Sequence, residues 1–276
     1  MPTYRDYYFS LKNNQLYQFT DTIIYALFCD VSHKDETHLL MHFDEEVKDK
    51  EKLDSYVTRI INGEPYQYVL GYTYFLGHKF YVNKDVLIPR QETEQLVLET
   101  IKLIKEKFNR KLSILDMCSG SGCIGISLAK ELDADVDMVD VSSKANETAK
   151  KNNKLNETKC RIFESDMFNK LPLKKYDVII SNPPYIKDKV TVDQNTLLNE
   201  PHLALFASPQ TKFYEEIMVK CADFLIYDGL LAFEIDEDME EDLTKLINKY
   251  FPHDEFFFQK DLYNKLRFLY INKKSV

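Results

Sequence analysis

The sequence predicts an α/β protein: a doubly wound, mostly parallel sheet preceded by a small helical bundle and a β-hairpin. Three observations carry that expectation. From Leu112 onward, short β-branched runs alternate with amphipathic stretches, as in βαβ winding. One of these runs, Ser113-Ile-Leu-Asp-Met-Cys118, leads into Gly120-x-Gly122-x-x-Gly125 and then a helical pattern. Another, Tyr176-Asp-Val-Ile-Ile-Ser181, ends abruptly in Asn182-Pro183-Pro184-Tyr185.

In chain order, residues 13–30 and 35–43 carry apolar positions at helical spacing. A third helix is expected from Asp44, with Glu45 and Glu46 in its first turn. Its Leu53, Val57, Ile60 and Ile61 form one apolar stripe. Asn62-Gly63 reads as its C-terminus, with the glycine left-handed. This bundle shows no chemistry, and a partner-docking role is expected of it. The aromatic stretch Tyr66 to Val82, punctuated by Gly71 and Gly77, reads as a hairpin. Ile88-Pro89-Arg90 closes it, and a helix follows with Val97, Ile101, Ile104 and Phe108 on one face. The expected division is a helical docking domain over 1–66, a hairpin linker over 67–87 and a catalytic domain over 88–276.

In that last domain strands are expected near 112–117, 135–141, 159–163, 176–181, 229–235 and 265–272. Helices are expected near 122–132, 143–154, 211–226 and 237–250. A long polar loop spans 185 to 211, at a strand C-terminus where functional sites concentrate.

Composition narrows the function classes. No apolar run approaches the ~20 residues needed to cross a bilayer, and the N-terminus lacks a signal-peptide core. The five cysteines form no CxxC pair and the six histidines show no ligand spacing, so neither a disulfide framework nor a metal is expected. The net charge is −9, and residues 1–85 hold 9 Lys+Arg against 13 Asp+Glu. Binding to duplex or RNA calls for a basic surface, so this balance opposes a nucleic-acid substrate and fits a basic protein partner.

Two constellations carry chemistry. In the first, glycines at a strand–helix junction let a ligand approach the backbone. Asp140 ends the next strand, where a carboxylate accepts ribose hydroxyls. NAD is one candidate. However, Asp116 precedes the glycines, and a carboxylate there repels a diphosphate while suiting a cationic amino-acid group. S-adenosylmethionine has such an ammonium and no phosphate. Asp166, just past the third strand, then accepts the adenine amine, with Phe168 as an apolar wall.

The second constellation is Asn182-Pro183-Pro184-Tyr185. Its prolines lack N–H donors and fix φ near about −65°. The Asn182 carboxamide and the Pro183 carbonyl are thereby offered as two acceptors beside the Tyr185 ring, a clamp for a planar –NH2 group. The loop is expected next to the first strand of the domain, at the topological switch point, so that the clamp faces the ligand.

These segments resemble the HemK-type N5-glutamine methyltransferases, which modify the Gly-Gly-Gln glutamine of peptide-chain release factors. The likeness extends to Gly63-Glu-Pro-Tyr-Gln-Tyr-Val-Leu-Gly71, Ile88-Pro-Arg-Gln-Glu-Thr-Glu94 and Glu200-Pro-His-Leu-Ala-Leu-Phe206. The resemblance implies a Rossmann-like class I S-adenosylmethionine-dependent methyltransferase domain. It implies methyl transfer to the glutamine amide N5, modulating translation termination in the cytoplasm, with S-adenosylhomocysteine as product. A release factor is then the partner, with no nucleic acid or membrane. Together with the residue reading above, the expected cofactor residues are Asp116, Met117, Cys118, Ser119, Gly120, Gly122, Asp140, Asp166, Phe168 and Asn182. Asn182, Pro183 and Tyr185 carry catalysis, and residues 182–185 hold the substrate.

The chain departs from the family pattern at Gln91, usually Pro, and at Ser208 to Lys212, usually a glycine-rich turn. Asp236 and Asn264 each stand where glycine is usual. Competing readings are adenine-N6 or guanine-N2 methylation of DNA or RNA, where the same clamp holds a flipped base, and glutamine methylation of a ribosomal protein. A non-catalytic binding protein on the same scaffold is opposed by the intact Asp116, Gly120, Asp140 and Asn182 set.

Overall fold

A computed structural model describes residues 2–188 and 192–274, and the chain divides into two compact units, Met1–Tyr72 and Thr73–Val276. In the first, α1 (Tyr4–Lys12), α2 (Asp21–Ser32), α3 (Glu36–Met41), α4 (Lys50–Ile61) and α5 (Tyr66–Leu70) follow one another. Local capping sets the first four starts: the side chains of Thr3, Thr20, Asp35 and Asp49 each accept a backbone N–H of the first turn. Tyr4, Leu27, Phe28, Leu53 and Ile60 are among the residues that fill the core between the helices.

Three sequence expectations are corrected here. The helix expected over 13–30 begins only at Asp21. Asn14 folds back to accept the Leu16 and Tyr17 amides and Thr20 caps the start, so 13–20 is a turn and extended segment. The helix expected from Asp44 begins at Lys50, because Asp49 is its cap while Asp44 pairs with Arg5 at 2.6 Å. Tyr66 to Leu70 is a helical turn rather than a strand, bracketed by Pro65 and a left-handed Gly71. The left-handed Gly63 is as expected. The histidine pattern also holds a spacing the sequence reading passed over: potential ligand atoms of His38, His42 and Glu45 lie within 4.8 Å of one another.

The second unit takes in the hairpin of β1 (Tyr72–Phe75) and β2 (His78–Tyr81) from Thr73 onward. Leu76 and Gly77 both adopt positive φ (48° and 77°), the two-residue turn that suits strand twist. The hairpin is held by Asn152, whose side chain exchanges hydrogen bonds with the Tyr81 backbone at 2.6 and 3.0 Å. Phe75 and Phe80 join the apolar core of this unit.

Then come α6 (Gln91–Lys107), β3 (Leu112–Met117), α7 (Cys123–Glu131), β4 (Ala134–Asp140), α8 (Ser143–Leu155), β5 (Arg161–Glu164), β6 (Tyr176–Ser181), α9 (Gln194–Asn199), α10 (Lys212–Phe224), β7 (Leu225–Glu234), α11 (Glu240–Tyr250), β8 (Glu255–Lys260) and β9 (Leu266–Asn272). Among the described residues the sheet order is β5-β4-β3-β6-β7-β9-β8. All pairings are parallel except those of β9. Successive residues feed opposite faces. Ile114, Val136 and Val178 enter one core with α6 and α7, and Leu115, Val139 and Ile179 enter the other with α10 and α11. The chain runs outward from β3 to β5, then returns to β6 beside β3. Those two neighbours therefore open a crevice at their C-terminal ends.

Strand β8 was not expected. Its Phe256-Phe257-Phe258 run hides the alternation, yet Phe256 and Phe258 pack inward while Phe257 stacks on Tyr270. The loop expected to be irregular over 185–211 contains α9 and a 3-10 turn at His202–Ala204.

Candidate active site

At the crevice the chain leaves β3 through Cys118 and Gly120, both at positive φ, and enters α7 at Gly122. The glycines are needed for different reasons. At Gly120 a Cβ would meet nothing, and the residue lines an open cleft. At Gly125 a Cβ would sit 2.7 Å from Met138, so its absence lets α7 lie tightly on β4.

Asp140 organises this loop. One carboxylate oxygen accepts the Gly120 N–H at 2.9 Å and the other the Ser142 N–H at 2.8 Å. Burial pushes its carboxyl upward, with those two hydrogen bonds opposing. Asp116 is fully buried; its Oδ2 accepts the Gly125 N–H at 2.8 Å, and its Oδ1 has no partner. Burial raises it to about 8, against the Gly125 hydrogen bond and with the help of nearby Asp140. An orphaned buried carboxylate oxygen suits an arriving cation and opposes an anion.

The cleft, with about 770 Å³ of empty space including its mouth, is lined by Met117, Cys118, Gly120, Asp140, Asp166 and Asn182 from the expected set. The described structure places other members of that set elsewhere. Phe168 is not a cleft wall: it is buried against Phe224, ring centroids 4.6 Å apart, in the core beneath α10. The preceding residue, Met167, at φ 48°, faces the cleft instead. Ser119 is buried and Gly122 is packed against Ile126, Met138 and Ala149, so both stand behind the loop.

Asn182 also lines a second cavity, together with Pro183, Tyr185, Arg90, Glu234, Asp236 and Arg267. It is therefore part of the wall between the two spaces, with Pro184 on the cleft side. Its Nδ2 donates to Thr93 Oγ1 at 3.1 Å, and the Thr93 hydroxyl donates to Glu234 Oε2 at 2.6 Å. Tyr185 donates to Glu234 Oε1 at 3.2 Å, and Tyr214 to the Glu234 carbonyl at 2.7 Å.

Sequence reasoning missed Thr93 and Glu234 as functional residues. The signals were a threonine on the apolar face of α6, in line with Val97 and Ile101, and an acid ending the buried run of β7.

Glu200 closes the site. Buried, it accepts from the Ile88 N–H at 3.1 Å and forms an ion pair with Arg90. The bridge between Ile186 and Phe206 holds the 200–207 segment against the Tyr185 loop. Gln91 occupies the first position of α6, where a helix N–H has no intrahelical partner in any case. Asn264 adopts φ 64°, a conformation asparagine tolerates better than most residues. Asp236 lies 3.7 Å from Arg267 and adds negative charge to the second cavity. Ser208 to Lys212 lead into α10 and deliver Phe213 to the cleft.

Two protein-family models match the chain: the methyltransferase small domain over residues 93–204 and the PrmC N-terminal domain over residues 11–71. A curated relative, the release factor glutamine methyltransferase of Flavobacterium psychrophilum, is 42% identical over 217 residues, 76% of this chain and 75% of the relative. That of Streptococcus pneumoniae is 34% identical over 269 residues, 96% of this chain and 89% of the relative. Among solved structures, a methyltransferase from Pyrococcus furiosus aligns with a TM-score of 0.55 at 16% identity, over 81% of this chain and 100% of its own. A Thermus thermophilus 16S rRNA N2 G1207 methyltransferase with AdoMet and guanosine reaches 0.54 at 17% identity, over 74% of this chain and 50% of its own. Likenesses this distant in sequence speak for the fold alone.

Proposed function

The chain belongs to the release factor glutamine methyltransferase family, and from that premise we propose that it methylates the side-chain amide N5 of the Gly-Gly-Gln glutamine in a peptide-chain release factor. The observation that carries the reading is the position of Asn182 in the wall between a cleft fitted for the methyl donor and a second cavity open to an acceptor.

The cleft suits S-adenosylmethionine. The space beside Gly120 admits a ligand to the backbone. Asp116, fully buried behind that loop and outside the cleft lining, is assigned to the ammonium, whose arrival would favour its ionised form. Asp140 is assigned to the ribose hydroxyls and Asp166 to the adenine amine, with Met117, Cys118 and Met167 as walls. When bound, S-adenosylmethionine supplies an electrophilic methyl on sulfonium and leaves as S-adenosylhomocysteine.

The chain supplies orientation. An amide nitrogen is a poor nucleophile, because its lone pair is delocalised into the carbonyl. Asn182 Oδ1 and the Pro183 carbonyl accept its two N–H groups, and Tyr185 packs on the amide plane. These fixed dipoles hold the nitrogen towards the cleft and favour electron density on it. With S-adenosylmethionine bound, these residues would hold the nitrogen in line for the methyl group, and the amide would afterwards lose one proton to solvent. No side chain is assigned as a base. Among the described residues no helix is long and apolar enough to cross a membrane; a cytoplasmic location and a protein acceptor are part of the proposal. Incubation with labelled S-adenosylmethionine should label a release factor but not its Gly-Gly-Gln→Gly-Gly-Ala variant. Label on the variant, or on neither, would overturn the reading.

A further inference from the structure

We propose that Glu234, acting through the Thr93 hydroxyl, determines which end of the Asn182 carboxamide faces the methyl acceptor. This rests on the acceptor reading of Asn182 given above. Glu234 and Thr93 are 2% and 3% exposed, so little water reaches their hydrogen bonds.

The direction of the chain follows from donor and acceptor inventories. An ionised carboxylate only accepts, so the single Thr93 hydroxyl proton goes to Glu234 Oε2. Thr93 Oγ1 is left as an acceptor towards Asn182, and only the –NH2 end of the carboxamide satisfies it. Oδ1 is thereby turned away from Thr93 and kept for the substrate amide. The second Glu234 oxygen accepts the Tyr185 hydroxyl, so one carboxylate anchors both side chains of the clamp. Its backbone is held in turn by Tyr214.

A protonated Glu234 reverses this logic. It donates to Thr93, whose proton is then free to point at Asn182. The carboxamide gains equally by presenting Oδ1 to Thr93 and –NH2 to the acceptor, where two donors meet. The groups facing Glu234 are Thr93 and Glu92 from α6, Cys123 from α7, Tyr185 from the loop after β6, Tyr214 from α10, Arg267 from β9 and Asp236 beyond its own strand. Burial raises its carboxyl to about 7, with Glu92 adding to the rise and Thr93, Tyr185 and Arg267 opposing it. The ionised form is the competent one, so kcat falls on the acid side as pH drops through that region. Thr93 and Glu234 are positioning residues that act through the Asn182 carboxamide: Thr93 lines neither space, and Glu234 borders the second cavity with its carboxylate engaged by Thr93 and Tyr185.

The test compares Thr93→Val, Thr93→Ser and Glu234→Gln with the unsubstituted protein on a release factor. It reads kcat, KM, the kcat–pH profile and S-adenosylmethionine affinity by calorimetry. Thr93→Val should lower kcat about 10²-fold, as loss of a preorganised polar support does, while cofactor affinity stays within about twofold. Its acid limb should flatten, because Asn182 is uncoupled from Glu234. Thr93→Ser keeps the hydroxyl and should recover most of kcat together with the limb. Glu234→Gln should lose the limb and much of kcat. Undiminished kcat with an unchanged acid limb in Thr93→Val would overturn the inference alone. Failure of the unsubstituted protein to methylate a release factor would overturn the acceptor reading, and this inference with it.

Discussion

The two spaces that meet at Asn182 are built differently. The cleft side is walled mostly by backbone and apolar side chains from consecutive strand ends, with Asp140 tying its own loop together. The second cavity, where the acceptor is proposed, is lined by charged groups, Arg90, Glu92, Asp193, Glu234, Asp236 and Arg267, brought from four separate stretches of chain, with the loop after β6 as a fifth wall. A cleft made from successive strand ends is nearly local, so its residues recur at regular intervals along the sequence. A cavity assembled from α6, the β6 loop, α9, β7 and β9 has no such period. The contrast teaches that the two spaces are encoded at different ranges of the chain.

The largest test of this contrast is Asn182 itself. Asn182→Ala should reduce kcat about 10²–10³-fold, the loss expected for a preorganised polar partner, while cofactor affinity measured by calorimetry falls much less. Equal losses in both would mean that the two sides do not divide at this residue. Next, Phe168→Ala should cost about 3 kcal/mol in denaturant unfolding, as a buried phenylalanine does, yet leave cofactor affinity of the folded protein nearly intact. A selective loss of affinity would return Phe168 to the cleft wall. Asp140→Ala should weaken cofactor binding about tenfold, since it removes a hydroxyl acceptor and frees the Gly120 loop; unchanged affinity would take Asp140 off the ribose. The smallest effect is expected at the start of α6, beside the second cavity. Gln91→Pro should stabilise the protein by about 0.5 kcal/mol, because proline suits the first helical position. Arg90 before it already has extended geometry, φ −106° and ψ 156°, which a following proline requires. A drop in melting temperature would show that the Gln91 side chain or N–H is needed there.

Legibility in the sequence followed the same division. The alternation of strands and helices after Leu112, the glycine loop and the strand-end acids were readable because each depends on neighbours within a few residues. Boundaries failed where a single side chain overrode the pattern, as with Asn14, whose turn delays the helix expected from residue 13, and Asp49, which delays another. Phe168 failed for a related reason. It follows Met167, whose positive φ reverses the expected facing of the two side chains, and no residue type announces that turn. The triple phenylalanine of β8 concealed an edge strand, because alternation cannot be seen in three identical residues.

By itself, the sequence determined the sheet-and-helix alternation, the strand-end acids around one glycine loop, and the Asn182-Pro-Pro-Tyr185 turn after β6. These depend on local backbone geometry and on side-chain chemistry at fixed short spacings. Only the tertiary structure decided that Glu234, 141 residues from Thr93, anchors the clamp, and that Glu200 ties the far loop to Arg90 and Ile88. Buried polar groups must find partners wherever the fold brings them, and separation along the chain carries no trace of those meetings.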